Sequence, residues 1–354
     1  RYTAAADAEL LLQGPDGARP HALPPLPAGV SPALISHAGL RRLGLLPRCL
    51  VVDLGCPVAP AVPHLRLPPP AGDGPAACLS TGSALSSQRL EALLQRGRRW
   101  GERWPAEEPL LLAECVPGGT STALAVLLGL GIAAQGLVSG SLRRPAHGRK
   151  ESLARQGLTA AGLFAKGPSH PGPTASSPSD PSPPVAPATA QVDPRRVLAA
   201  VGDPMQALAA GLLLGLAEQR SEPLAPVLLA GGSQMAAVLA LALALLEPER
   251  RQRLAATAVV GTTAWVAHEP HSNLRELLNR IGAHWQVRPQ LAVADLRFHG
   301  CSSAALRDYE RGYVKEGVGA GGVALLWQWS GRTPAALAAA CDADCRVLLG
   351  GEDS

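Results

Sequence analysis

The chain has 354 residues, 47% of them hydrophobic and 17% charged, a balance that excludes a disordered chain and supplies core for one large domain or about two average ones. Its formal net charge is only +4 and its aromatic residues amount to 3%, so the basic clusters at Arg96–Arg103, Arg143–Lys150 and Arg250–Arg253 lack the ring interleaving of a nucleic-acid surface, and no nucleic-acid partner is expected. A basic rim that attracts phosphorylated small molecules fits them better, beside the plain reading of solvated helix faces.

In chain order, "RCLVVDLGC" (48–56) is β-branched, ends in Asp53 and Gly55, and predicts a buried strand. The stretch 83–104 carries Leu85, Leu90, Leu93 and Leu94 at helical spacing opposite arginines. "LLLAECVPGGTSTALAVLLGLG" (110–131) reads as a strand over 109–113, a loop, and a helix from about Ser121. Residues 166–194 are rich in Pro and Ser and predict a long loop or linker. Beyond them, 196–218 reads as a strand, then Gly202-Asp203-Pro204, then a helix with proline in its first turn. The stretch 225–247 repeats the pattern around Gly231-Gly232-Ser233. Its apolar part, 227–246, approaches the length of a membrane span, but the early Gly-Gly-Ser-Gln fits strand, loop and helix, so no membrane partner is expected. Two more apolar runs, 256–266 and 289–298, end in small or acidic residues. Strands alternating with helices predict an α/β fold: a mainly parallel, Rossmann-like sheet with helices on both faces. In such a sheet a ligand lies at the carboxyl ends of the strands, where these polar loops converge.

Loops of Gly, Ser and Thr that open a helix direct unpaired backbone N–H groups outward at the positive end of the helix dipole, which suits phosphate. Three stand out, at Gly118, Gly119, Thr120, Ser121 and Thr122, at Gly202 and Asp203, and at Gly231, Gly232, Ser233 and Gln234. Ordinary capping by Thr120, Asp203 and Ser233 is the competing explanation. No Gly-Lys-Ser/Thr follows any of them, which excludes a nucleoside-triphosphate loop. "KEGVGAGGVALL" (315–326) has the glycine spacing of a dinucleotide fingerprint, yet a charged segment precedes it and no acid closes a following strand. Glu316 before that glycine-rich helix start is the more informative feature. His268, Glu269 and His271 lack helical i, i+4 spacing, and Cys341 and Cys345 lack a second pair, so no metal is expected. Seven cysteines without regular spacing predict reduced thiols and a cytoplasmic protein.

"ECVPGGTSTA", "VGDPMQ", "LAGGSQMAAV", "VGTTAWV" and "KEGVGAGGVAL", in this order over about residues 48–330, resemble the nicotinate-nucleotide:dimethylbenzimidazole phosphoribosyltransferase family, in particular its archaeal and cyanobacterial branch. The opening "YTAAADAE" resembles a place already inside that family's N-terminal region, so a leading segment is expected to precede Arg1. The resemblance implies a large α/β domain over 40–300 and a smaller helical domain built from 1–39 and 301–354. It implies a homodimer without metal or cofactor, with nicotinate mononucleotide and an aromatic base as its small-molecule partners. The phosphoribosyl group would pass to a cobamide lower-ligand base, dimethylbenzimidazole or adenine, giving an α-ribotide and nicotinate. The 5′-phosphate would sit on the loops at 118–122 and 231–234. Glu316, followed by Gly317 and Gly319, would be the general base, and Ser83, Ser86 and Gln88 would edge the base pocket. Because nicotinate departs as a neutral pyridine, one carboxylate suffices for the proton of the incoming base. Glu114 would be a second negative group facing the developing oxocarbenium charge. Where the family's characterised enzymes carry a Gly-Glu-Met-Gly-Ile-Gly-Asn-Thr-Thr loop, this chain has Ala113 to Thr122 with an added proline. That departure keeps two alternatives open: a non-catalytic nucleotide- or phosphosugar-binding protein, and a transferase with another acceptor.

Overall fold

A computed structural model describes residues 4–23, 25–164, 192–219 and 224–350. Helices α1 (Ala5–Gln13) and α2 (Ala33–Leu43) are followed by the two-residue strands β1 (Val52–Asp53) and β2 (Leu65–Arg66). Next come α3 (Ser87–Glu102), β3 (Leu110–Ala113), α4 (Gly119–Gly129), α5 (His147–Ala160), α6 (Pro194–Val201) and α7 (Pro204–Glu218). Then follow β4 (Val227–Ala230), α8 (Ser233–Leu245), α9 (Pro248–Thr257), β5 (Ala258–Thr263), α10 (Ala264–Ala267), α11 (Leu274–Trp285) and β6 (Gln290–Ala294). The last helices are α12 (Ala304–Glu310), α13 (Ala320–Trp329) and α14 (Pro334–Gly350).

The main sheet has the order β3-β4-β5-β6 and is parallel throughout, with Leu110 opposite Val227, Val227 opposite Ala258 and Val259 opposite Gln290. Because the order runs in one direction and crossovers between parallel strands are right-handed, the connecting helices α4–α9 and α11 bury their side chains on one face. Alternation along each strand sorts the side chains accordingly. Val227, Leu229 and Val260 share a core with Leu127 of α4, Leu239 of α8 and Leu277 of α11. Leu228 and Ala294 point the other way, into a second core with Ile35, Ala324, Leu325 and Leu337. The second face is therefore covered by helices from both ends of the chain. α1, α2, α13 and α14 pack on one another, and α13 lies directly on β4, β5 and β6.

Small residues make one helix contact unusually close. Ideal Cβ atoms at Gly97 and Gly101 of α3 would fall 2.1 Å from the carbonyl oxygens of Leu208 and Leu212 in α7, while those at Gly211 and Gly215 would fall 2.3 and 2.0 Å from the carbonyls of Leu94 and Arg98. Glycines four apart on both helices thus bring backbone against backbone.

Two expected strands take other forms. Residues 196–201 are helical: Asp193 caps the start by accepting from the Arg195 N–H, Pro194 occupies the first turn, and Val197, Leu198 and Val201 bury one helical face. A five-residue apolar run, 197–201, is ambiguous in period, and the start signal before it decides. In 48–56 only Val52–Asp53 pairs, with Leu65–Arg66 and outside the main sheet, because the Asp53 carboxylate turns the chain by accepting from Gly55 N (2.9 Å) and Cys56 N (2.7 Å). Helix α4 begins at Gly119, two residues before the expected start. Residues 165–191, which hold most of the Pro/Ser segment, lie outside the described residues.

Candidate functional site

The carboxyl ends of the parallel strands meet at one edge of the sheet. Strand β3 runs into Glu114, β4 into Gly231-Gly232 and β5 into Thr263, and the segment 314–319 crosses over them on its way to α13. A pocket at this edge is lined by Thr120, Ser139–Ser141, Gly232–Gln234, Val266, Val314, Glu316 and Gly317. Of the residues singled out in the sequence, Thr120, Gly232, Ser233, Gln234, Glu316 and Gly317 are brought together here.

Glu316 is held by four donors. One carboxylate oxygen accepts from Thr262 Oγ1 (3.0 Å) and Thr263 N (2.9 Å), both on β5. The other accepts from Gly317 N (3.2 Å) and from Gly321 N (3.0 Å) in the first turn of α13. Burial pushes the Glu316 carboxyl above the ordinary carboxylate range, and these hydrogen bonds pull it back. Its backbone approach is strained: φ is +62° at Val314, +70° at Lys315 and +50° at Val318, positions where a side chain costs about 1–3 kcal/mol each. Gly319 caps α13 at φ +76°, and a Cβ there would lie 2.7 Å from that of Ala113, so the helix start sits on the strand ends only because this residue is glycine.

Glu114 stands beside this group. It accepts from Val116 N (2.8 Å), and Gln234 also hydrogen-bonds its side chain. Burial raises the Glu114 pKa to about 8, and the nearby Asp203 and Glu316 carboxylates push in the same direction. At neutral pH it is therefore mostly protonated. The expected second negative group is instead a neutral acid, and its protonation relieves the repulsion on Glu316.

The opposite wall has the character of an anion site. Helices α4 and α8 start at Gly118 and Gly232 with no side chain capping either one; in α4 the Gly119 and Ser121 N–H groups donate to the Val116 and Gly118 carbonyls, whereas Gly232, Ser233 and Gln234 at the start of α8 line the pocket. A Cβ at Gly119 would fall 2.1 Å from Gln234 Nε2, so a side chain there would displace the Gln234 amide. Ser233 Oγ accepts from Ser139 N (3.0 Å), which joins α8 to the Ser139-Gly140-Ser141 wall. Behind that wall the buried Lys150 ammonium donates to the Ser139 carbonyl. Burial, opposed by the Glu269 carboxylate and helped by the Lys315 charge, lowers its pKa to about 8.

Other expected residues lie elsewhere or are occupied. Gly202 and Asp203 form a corner between α6 and α7, and the Asp203 carboxylate itself caps α7 by accepting from Gln206 N (2.9 Å) and also accepts from Thr122 Oγ1 (2.6 Å). That helix start is filled by its own acid and repels a phosphate, which corrects the reading of Gly202 and Asp203 as anion ligands. Ser121 lies in the first turn of α4 and its N–H donates to Gly118. Ser83 and Ser86 line a second, wider depression with Leu163 and Arg196 that shares no residue with the Glu316 pocket. Ser86 there caps α3, and Gln88 is exposed. Glu269 accepts from Lys315 Nζ (2.8 Å) and Ser272 Oγ (2.7 Å), and among the described residues no group of three or more His, Cys, Asp and Glu side chains is placed to hold a metal ion. No helix of the described residues is long and apolar enough to cross a membrane.

Ser139, Lys150, Glu269 and Lys315 escaped sequence reasoning as a site. A Ser-Gly-Ser loop without a following helix start carries no phosphate signature, and Lys150 sits in a basic segment and Lys315 in a mixed-charge one, both of which look solvent-exposed. Only the fold reveals that both ammonium groups are buried.

Comparison with known proteins places the chain in a family. No family model matches it. It is 47% identical over 99% of its length to a UPF0284 protein of Prochlorococcus marinus (strain MIT 9313), covering 80% of that protein. It is 48% identical to the UPF0284 protein of Parasynechococcus marenigrum, again over 99% of the chain and 80% of the relative, and 40% identical to one from Nostoc over 92% and 80%. The chain belongs to the UPF0284 family. Among solved structures, a nicotinate-nucleotide-dimethylbenzimidazole phosphoribosyltransferase from Thermus thermophilus overlays with a TM-score of 0.46 at 21% identity, over 89% of this chain and 72% of that one. A structure of CobT from the same organism gives 0.48 at 22%, over 89% and 73%.

Proposed function

We propose that this pocket binds nicotinate mononucleotide and transfers its phosphoribosyl group to a cobamide lower-ligand base, dimethylbenzimidazole or adenine, releasing nicotinate. The observation that carries the reading is the placement of the Glu316 carboxylate in one pocket with the uncapped start of α8 and the wall backed by Lys150. The 5′-phosphate would take the N–H groups at the start of α8, with the Lys150 charge behind Ser139 and Gly140.

The chemistry then needs one proton acceptor. The pyridinium nitrogen of the donor takes the glycosidic electron pair as nicotinate leaves, so no acid is required. One ring nitrogen of the incoming base bonds to C1′, and the proton on its other nitrogen becomes acidic and passes to Glu316. A carboxylate raised by burial is better matched to that task than an ordinary one. Glu114, protonated at neutral pH, offers a hydrogen bond rather than a charge at the sugar.

The four donors on Glu316 favour a second reading, a protein that binds the nucleotide without turnover, because a base must give up part of that bonding to receive a proton. A product assay separates the two. Purified protein is given nicotinate mononucleotide with dimethylbenzimidazole or adenine in parallel. The transfer reading expects nicotinate and an α-ribotide, with the rate lowered about 10²–10⁴-fold by Glu316→Gln. Binding of nicotinate mononucleotide with neither base consumed would establish the binding protein instead.

A further inference from the structure

Lys315 precedes Glu316 and is 1% exposed, an unusual position for an ammonium group. Its Nζ donates to Glu269 Oε1 (2.8 Å) and to the Leu142 carbonyl (2.8 Å), and its own carbonyl accepts from Thr263 Oγ1 (2.6 Å). The other Glu269 oxygen accepts from Ser139 Oγ (2.5 Å), and Val314 N donates to the Ser141 carbonyl (2.8 Å). Every one of these bonds except that from Thr263 joins the Glu316 loop to the segment 139–142, directly or through Glu269.

We propose that Lys315 is a positioning residue for Glu316: through Glu269 and Leu142 it ties the base-bearing loop to the wall that receives the donor's phosphate. The inference rests on the transfer reading for its catalytic consequence, but its geometric content stands without turnover. A loop with left-handed backbone at Val314, Lys315 and Val318 does not hold itself, since each of these residues prefers another conformation. The ion pair supplies the restraint next to Glu316. Because Ser139 is bonded both to Glu269 and to Lys150, a phosphate drawn against that wall and the carboxylate that removes the proton share one scaffold. The juxtaposition would fix the distance between the phosphate end of the donor and the base, which is what an in-place transfer requires.

The competing account is a buried ion pair that balances charge and does nothing else. Removing one partner of such a pair leaves an uncompensated charge and lowers stability in either account, whereas removing both restores much of it. Lys315→Met, Glu269→Gln and the double variant are therefore compared with wild type by melting temperature and by hydrogen exchange of the peptide containing Gly317 and Gly321, whose amides donate to Glu316. For positioning, the double variant regains the melting temperature but its Gly317 and Gly321 amides still exchange at least about tenfold faster than in wild type, with the β4 and β5 amides unchanged. Wild-type exchange in the double variant overturns the proposal. In the transfer assay the same variant loses about 100-fold in kcat, while KM for nicotinate mononucleotide moves far less. A rise in KM alone, with kcat kept, would also overturn it. If the wild-type protein turns over neither base, the transfer reading fails and the exchange measurement still decides whether Lys315 positions Glu316.

Discussion

At the scale of single residues, the site is governed by charges taken out of water. Glu114 has its pKa raised to about 8, so the folded protein holds a proton that the unfolded chain releases near pH 4.5. A raised carboxyl contributes stability that is complete below the unfolded value and is lost as pH climbs through the folded one. Between about pH 4.5 and 8 the protein should therefore lose stability with rising pH, by up to about 1.4 kcal/mol per unit for one proton. Glu114→Gln should flatten that slope, as followed by urea unfolding at several pH values. Asp203 and Glu316 are raised in the same direction, so the flattening is partial. Lys150 acts on binding, because it must be protonated to attract an anion. Affinity for nicotinate mononucleotide, read by calorimetry, should fall as pH rises through about 8 and beyond. Lys150→Met should weaken binding about 10–100-fold at pH 7 and remove that inflection. Unchanged affinity would place the phosphate elsewhere.

Elements are held by contacts that sequence patterns only partly announce. The crossing of α3 and α7 depends on Gly97, Gly101, Gly211 and Gly215, and a methyl at Gly97 would collide with the Leu208 carbonyl at 2.1 Å. Gly97→Ala should cost about 1–3 kcal/mol, seen as a lowered denaturation midpoint, even though alanine is the better helix former. The start of α7 is a reciprocal cap, Asp203 accepting from Gln206 N and Gln206 Oε1 accepting from Asp203 N at 3.2 Å. Asp203→Ala should lower stability by about 0.5–2 kcal/mol, and Asp203→Asn by less, because the amide oxygen still accepts. Neither substitution should change phosphate affinity severely if that cap is its role. The Gly202-Asp203-Pro204 turn shows how a local pattern misleads: glycine, acid and proline mark a helix start equally well after a strand or after a helix. The identity of the preceding element is what distinguishes a ligand loop from a corner.

Across the whole molecule, the two cores share the sheet, and that sharing positions the site. Leu228 and Leu229 are adjacent in sequence and bury into opposite layers. Leu325 of α13, 4% exposed, reaches the sheet beside Gly261 and Leu228. Leu325→Ala should cost about 2–5 kcal/mol and also weaken ligand binding, because α13 carries the Gly321 N–H that holds Glu316. Thermal melts with and without nicotinate mononucleotide check both effects.

By itself the sequence determined the local elements whose signals are short in range: the strands at 110–113 and 227–230, the Gly-Gly start of α8, and the prominence of Glu316 before a glycine-rich helix. Tertiary structure decided what depends on distant partners. It made 194–201 a helix, set Val52–Asp53 outside the main sheet, and gave Asp203 to the cap of α7. It also buried Lys150 and Lys315 and left Glu114 protonated at neutral pH. The physical reason is that periodicity and capping act over a few residues, whereas a pKa or the charge in a pocket is set by whichever groups the fold brings within a few ångströms. Residues 139–142, 269 and 315 lie far apart in sequence and are neighbours only in the folded chain.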